Sequence, residues 1–148
     1  MTTRARIGVV VSRFNRAVTD ALLEGTQKAA VESGITLGAS DIYPVSGAFE
    51  LPLVAQALAR SGKYDGIVCL GAVIRGETSH FDYVCDQAAA GIQRVALDNG
   101  LPVAFGVLTT DTLEQALARA GGDVGNKGRE ALVTVLETLH QLLRATEA

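Results

Sequence analysis

The segment Asp65-Gly-Ile-Val-Cys-Leu-Gly-Ala-Val-Ile74 decides the fold. Its apolar residues run on without the alternation that would leave one side for water, so both faces of a strand here need cover. Strands of this kind belong to parallel sheets with helices packed on each side. The flanking sequence supplies those helices. From Thr19 to Ser33, Leu22, Leu23, Thr26, Ala29 and Ala30 recur at helical spacing, and Gly34 follows as a stop. Phe49 to Ser61 sets Leu51, Val54, Ala55 and Leu58 on one face, with Gly62 beyond. Phe81 to Asn99 carries a stripe of Phe81, Val84, Cys85, Ala88, Ile92, Val95 and Ala96. Leu113 to Ala120 reads as a short helix, and Arg129 to Arg144 as a last one with Leu132, Val135, Leu136, Leu139, Leu142 and Leu143.

Between these lie further strand candidates. Ile7 to Val11 is a short β-branched run, and Pro102 to Thr109 is again apolar on both faces. Asp41-Ile-Tyr-Pro-Val45 is weaker, because Pro44 has no N–H for a ladder and belongs at an edge or a strand end. Gly121 to Gly128 is a glycine-rich break. No internal repeat or Pro/Ser-rich linker divides the chain, so a single domain over residues 1–148 is expected. Strand–helix alternation predicts an α/β fold: a three-layer α/β/α sandwich with a four-stranded, mainly parallel sheet of flavodoxin-like type. So small a sheet leaves its edges open unless a neighbouring copy covers them.

Composition narrows the function. A chain of 148 residues is one ordinary domain, large enough to bury about 68–70% of its unfolded surface without a disulfide or metal staple. Hydrophobic residues make up 48% and charged residues 20%, which excludes intrinsic disorder. A net charge of −3 provides no basic field for nucleic acid or an anionic membrane, so any anion is bound locally. Cys69 and Cys85 form no CxxC pair and have no Cys/His cluster to complete a metal site. They read as reduced thiols, and the cytoplasm is the expected compartment. The N-terminal apolar run is too short for a leader and ends at Arg13, and no stretch approaches the ~20 apolar residues of a membrane span.

In open parallel α/β sheets ligands bind beyond the carboxyl ends of the strands. There this chain has Ser12-Arg-Phe-Asn15, Ser46-Gly-Ala-Phe-Glu50, Arg75-Gly-Glu-Thr-Ser-His80, and, on the last strand, Phe105 and Thr109-Thr110. Aromatics, a carboxylate and a histidine are thus expected on one rim, the composition of a small-molecule pocket. Gly71-Ala-Val-Ile-Arg-Gly-Glu-Thr78 nearly matches a phosphate-binding loop, but Glu77 stands where the lysine belongs, which argues against nucleoside triphosphate hydrolysis. A glycine-bearing turn opening a helix still suits an anion, with Thr78 or Ser79 adding a hydroxyl, as well as it suits a plain helix start. His80 beside it is a candidate proton carrier, since imidazole titrates near neutrality; an ordinary surface histidine is the alternative. Phe14 suits stacking on a flat heterocycle or packing, and Glu50 suits a polyol's hydroxyls or a helix dipole. Arg119 closes the short helix, where basic residues are common. His140, in the middle of the last helix, reads as structural. Asn126-Lys-Gly-Arg129 lacks the aspartate of a guanine-reading motif.

These segments together resemble the lumazine synthase family. The resemblance rests on Ser46-Gly-Ala-Phe-Glu-Leu-Pro52, on Gly71-Ala-Val-Ile-Arg-Gly-Glu-Thr-Ser-His-Phe-Asp-Tyr-Val84, on Phe105-Gly-Val-Leu-Thr-Thr110, and on Arg119-Ala-Gly with Gly-Asn-Lys-Gly128. It implies condensation of 5-amino-6-(D-ribitylamino)uracil with 3,4-dihydroxy-2-butanone 4-phosphate, with release of phosphate and water and no cofactor or metal. By position, Phe14 would stack on the pyrimidine with Asn15 nearby. Ala48, Phe49 and Glu50 would hold the ribityl chain. Ala72, Val73 and Ile74 would present backbone to the uracil. Glu77 and Thr78 would bind phosphate through main-chain N–H groups, and His80 would shuttle protons. Phe105 and Arg119 would come from the adjacent subunit, Lys127 being a further basic position near the site. The resemblance also implies a homo-oligomer, a pentamer that in some members closes into a 60-subunit shell; the short Gly121–Gly128 break resembles shell-forming members. Where family members often carry Pro-Gly, this chain has Val45-Ser46-Gly47. Two rivals predict differently: a non-catalytic flavin or lumazine binder has no use for His80, Thr78 and Arg119, and a mononucleotide-binding flavodoxin-like module would be a monomer.

Overall fold

β1 (Ile7–Ser12) runs through the middle of the molecule with every residue buried, as expected of a β-branched run with no polar face. The computed structural model describes residues 5–147. The N-terminal leader reading and the outer limits of the single domain fall partly on residues 1–4 and 148, outside the described residues. After β1 come α1 (Arg16–Glu32), β2 (Ile42–Val45), α2 (Leu51–Arg60), β3 (Gly66–Ile74), α3 (His80–Asn99), β4 (Val103–Thr110) and α4 (Leu113–Ala118). A two-strand ribbon of β5 (Ala120–Gly122) and β6 (Gly125–Asn126) leads into α5 (Lys127–Ala145). The main sheet has the order β2-β1-β3-β4, and every pairing in it is parallel.

Side-chain alternation along the strands divides the core in two. Ile7, Val9 and Val11, with Val68, Leu70 and Ala72, pack under α1 and α5 around Leu22 and Leu132. Val10, Ile67, Cys69 and Val107 face the other way, against Leu51 and Leu58 of α2 and Ile92 and Val95 of α3. The result is the three-layer sandwich expected from the sequence. Burial pushes the Cys69 thiol up to about 12, so it stays a protonated core group.

β2 is an edge strand, one of the two places that suit Pro44: among the described residues it pairs only with β1. Polar contacts fasten it. The Tyr43 and Tyr64 hydroxyls lie 2.9 Å apart, and Tyr64 donates to Asp41 Oδ1 at 3.0 Å. Burial and these bonds hold the Tyr64 phenol well above its ordinary range.

The glycine-rich break has a regular structure of its own. It forms the antiparallel β5–β6 ribbon, whose turn needs positive φ at Gly121 (105°) and Gly125 (89°). The ribbon closes where the Lys127 N–H donates to the Arg119 carbonyl at 2.9 Å. Residues eight positions apart in sequence thereby become neighbours. α5 then packs so closely on α1 that a Cβ at Gly128 would stand 2.0 Å from the Leu22 carbonyl oxygen.

Candidate active site

The carboxyl ends of β1, β2 and β3 open into a cleft of about 660 Å³. Phe14 projects over it from the loop after β1 and is 71% exposed, so it is no core residue. The loop gets its shape from Asn15, which adopts the left-handed conformation (φ 64°) that asparagine tolerates. The Asn15 side-chain amide donates to the Ala72 carbonyl at 3.0 Å. Asn15 and Ala72 therefore lie behind the cleft as a brace between the ends of β1 and β3, while Val73 and Ile74 line it.

A 3₁₀ turn over Ala48–Glu50 forms the adjoining wall, with Ala48, Phe49 and Glu50 all on the lining. Glu50 Oε1 accepts from the Gly47 N–H at 3.0 Å. Its carboxylate thus closes its own turn and faces the cleft as well. The opposite wall is the start of α3. Thr78 Oγ1 accepts from the His80 N–H at 3.3 Å, and Ser79 at the helix cap makes no side-chain bond to the first turn. Thr78 and His80 line the cleft, and Glu77 is exposed on the turn between β3 and α3. Phe81, Tyr83 and Val84 complete the wall. The helical stripe marks Phe81 and Val84 in sequence only as candidates for burial; Tyr83 lies off that stripe and is 68% exposed.

No Lys or Arg lines this cleft among the described residues. The expected cations lie elsewhere on the same chain. Phe105, Thr109, Arg119, Val124, Lys127 and Glu130 line a second depression of about 370 Å³ beside β4 and the β5–β6 ribbon. There Arg119 Nη1 donates to the Gln115 carbonyl at 3.0 Å. The rim expected from strand ends alone therefore divides: Phe14, Glu50, Thr78 and His80 share one surface, while Phe105 lies on another with Arg119 and Lys127. Among the described residues no group of His, Cys, Asp and Glu side chains is arranged to hold a metal ion.

Residues 4–143 match the family model described as 6,7-dimethyl-8-ribityllumazine synthase. A protein of that name from Protochlamydia amoebophila (strain UWE25) is 53% identical over 137 residues, covering 93% of this chain and 80% of the relative. Another from Desulfatibacillum aliphaticivorans is 50% identical over 135 residues, covering 91% of this chain and 87% of the relative. The matched span takes in the cleft, the α3 turn and the ribbon alike, and the chain belongs to the 6,7-dimethyl-8-ribityllumazine synthase family.

Proposed function

We propose that this chain condenses 5-amino-6-(D-ribitylamino)uracil with 3,4-dihydroxy-2-butanone 4-phosphate to give 6,7-dimethyl-8-ribityllumazine, the penultimate step of riboflavin biosynthesis. The observation that carries the reading is the grouping of Phe14, Glu50, Thr78 and His80 around one cleft. A flat ring, a polyol, a phosphate and a mobile proton each have a matching partner there. Phe14 offers a face for the pyrimidine, with Val73 and Ile74 along its edge, and Asn15 and Ala72 hold that floor. Ala48, Phe49 and Glu50 take the ribityl chain, Glu50 accepting from its hydroxyls. Thr78 and the N–H groups opening α3 receive the phosphate, since a long helix starts there with its positive dipole end outward. Glu77 contributes through its backbone, because its carboxylate repels a phosphate.

The chemistry needs little more than placement. The amine condenses with the ketone to an imine and water, phosphate leaves by elimination to give an enol that tautomerises to a new carbonyl, and the ribityl-bearing nitrogen attacks that carbonyl and closes the ring with loss of a second water. Holding two reactants in register lowers a barrier by roughly 7–11 kcal/mol at best, whereas one general acid–base supplies about 10²–10⁴-fold. Positioning dominates and His80 assists by moving protons.

A dianionic phosphate beside a cleft with no Lys or Arg among the described residues calls for a cation from outside. Arg119 and Lys127, with Phe105 beside them, suit that need if a second copy brings its depression against the cleft. A homo-oligomer with shared sites follows, the pentamer implied by the family resemblance being its expected form. No helix among the described residues is long and apolar enough to cross a membrane, and we place the enzyme in the cytoplasm. Mixing the protein with both substrates is the test: the lumazine chromophore should appear together with inorganic phosphate. Folded protein that binds the pyrimidine yet forms no chromophore is instead a non-catalytic binder.

A further inference from the structure

Arg75 lies between the two surfaces and touches the elements that carry both. Its backbone N–H donates to the Thr110 carbonyl at 2.8 Å. Its guanidinium Nε donates to Asp111 Oδ1 at 2.9 Å, and Nη1 stands 3.6 Å from Asp82 Oδ1. The guanidinium carbon lies 4.3 Å from the centroid of the Phe81 ring. Phe81 and Asp82 follow His80 in the first turn of α3, and Phe81 lines the cleft. Asp111 stands at the corner between β4 and α4, the helix that leads to Arg119.

Two roles compete for this side chain. A cation beside an anion-binding turn invites the role of phosphate ligand. However, Arg75 does not line the cleft, and its donors already face two carboxylates. A planar guanidinium stacked on a ring and forked toward carboxylates is a rigid brace, which the point charge of a lysine does not reproduce. The side chain is 46% exposed, so its ion pairs contribute little to global stability and their effect is local.

We propose that Arg75 is a positioning residue that locks the turn over residues 75–79 and the first turn of α3 onto the β4–α4 corner, and thereby fixes the phosphate subsite relative to His80. The proposal rests on the reading of the cleft as the lumazine-forming site. Without the fork the turn drifts, and Asp82 and Asp111 become unpaired carboxylates beside it. Both effects fall on the phosphorylated substrate and spare the pyrimidine.

Steady-state kinetics on both substrates, with amide hydrogen exchange, tests this in Arg75→Ala, Arg75→Lys and Asp111→Asn. Arg75→Ala should raise KM for the phosphorylated ketone about tenfold and KM for the pyrimidine less than about twofold. Arg75→Lys keeps the charge and should recover less than about half of the loss. Asp111→Asn should shift the same KM, and combining it with Arg75→Ala should add little. In Arg75→Ala the amides of residues 76–80 and 111–115 should exchange faster together. A lysine variant equal to wild type, equal rises in both KM values, or faster exchange in only one segment overturns the proposal. If wild-type protein forms no lumazine, the functional reading falls, while the exchange result still decides whether Arg75 braces the two segments.

Discussion

His80 opens α3 with its backbone tied to Thr78 Oγ1 and its side chain at the cleft, so its imidazole is placed by the helix start. If positioning carries most of the rate, His80→Ala should lower kcat by about 10²-fold and leave both KM values within a few-fold. Complete loss of turnover in a folded variant that still binds substrate would rank proton transfer above placement. Phe14 and Glu50 show how far single residues were legible. Phe14 is open to stacking or packing in sequence, and at 71% exposure it does not pack in the core of this chain. Glu50 was open to two readings, and its bond to the Gly47 N–H gives the bland one a share: the carboxylate shapes its own turn while lining the cleft. Arg75 could not be read, because its partners Asp82 and Asp111 come together only through the pairing of β3 with β4.

Among the elements, those with a strong apolar period were legible almost to the residue. β3 and β4 declare themselves by lacking alternation, and α2 and α5 by one-sided stripes. The β5–β6 ribbon was not, since glycines carry no period and the ribbon exists through backbone bonds at positive φ. Nor does sequence show why α1 contains Gly25 or why the first turn of α5 carries Gly128. The structure gives the reason: the helices meet there, and Thr26 Oγ1 donates to the Gly128 carbonyl at 3.0 Å while Asn126 Nδ2 donates to the Ala21 carbonyl at 3.1 Å. A methyl at Gly128 would collide with the backbone of α1, which no rotamer change relieves. Gly128→Ala should therefore destabilise the fold by about 1–3 kcal/mol or more, read as a fall in the denaturant midpoint. A neutral effect would mean that α1 and α5 separate more readily than this contact implies. Because α5 starts at Lys127, the same variant should also disturb the Arg119–Lys127 depression.

At the scale of the whole molecule, the chain carries two separate surfaces. Among the described residues, one holds an imidazole, a carboxylate and an aromatic face with no Lys or Arg; the other holds Arg119 and Lys127 beside Phe105 with no histidine. Phe14, Phe49 and Tyr83 are each more than half exposed around the first, an apolar rim that a lone soluble chain rarely leaves bare. Strand positions alone do not separate the surfaces, because residues beyond parallel strands share one end of the sheet whichever copy completes the site; only the family resemblance assigns Phe105 and Arg119 to an adjacent subunit. Shared sites make a specific prediction. His80→Ala and Arg119→Ala, each nearly inactive alone, are co-expressed so that subunits mix at random. A site built from His80 of one copy and Arg119 of the next is then intact in about a quarter of junctions. Activity should rise to about a quarter of wild type, far above the mean of the separate variants. Sites contained within single chains would yield only that mean, since every chain then carries one defect. Light scattering on the same mixture checks that the species is larger than the 15.4 kDa chain, so a failure to rescue cannot be blamed on dissociation.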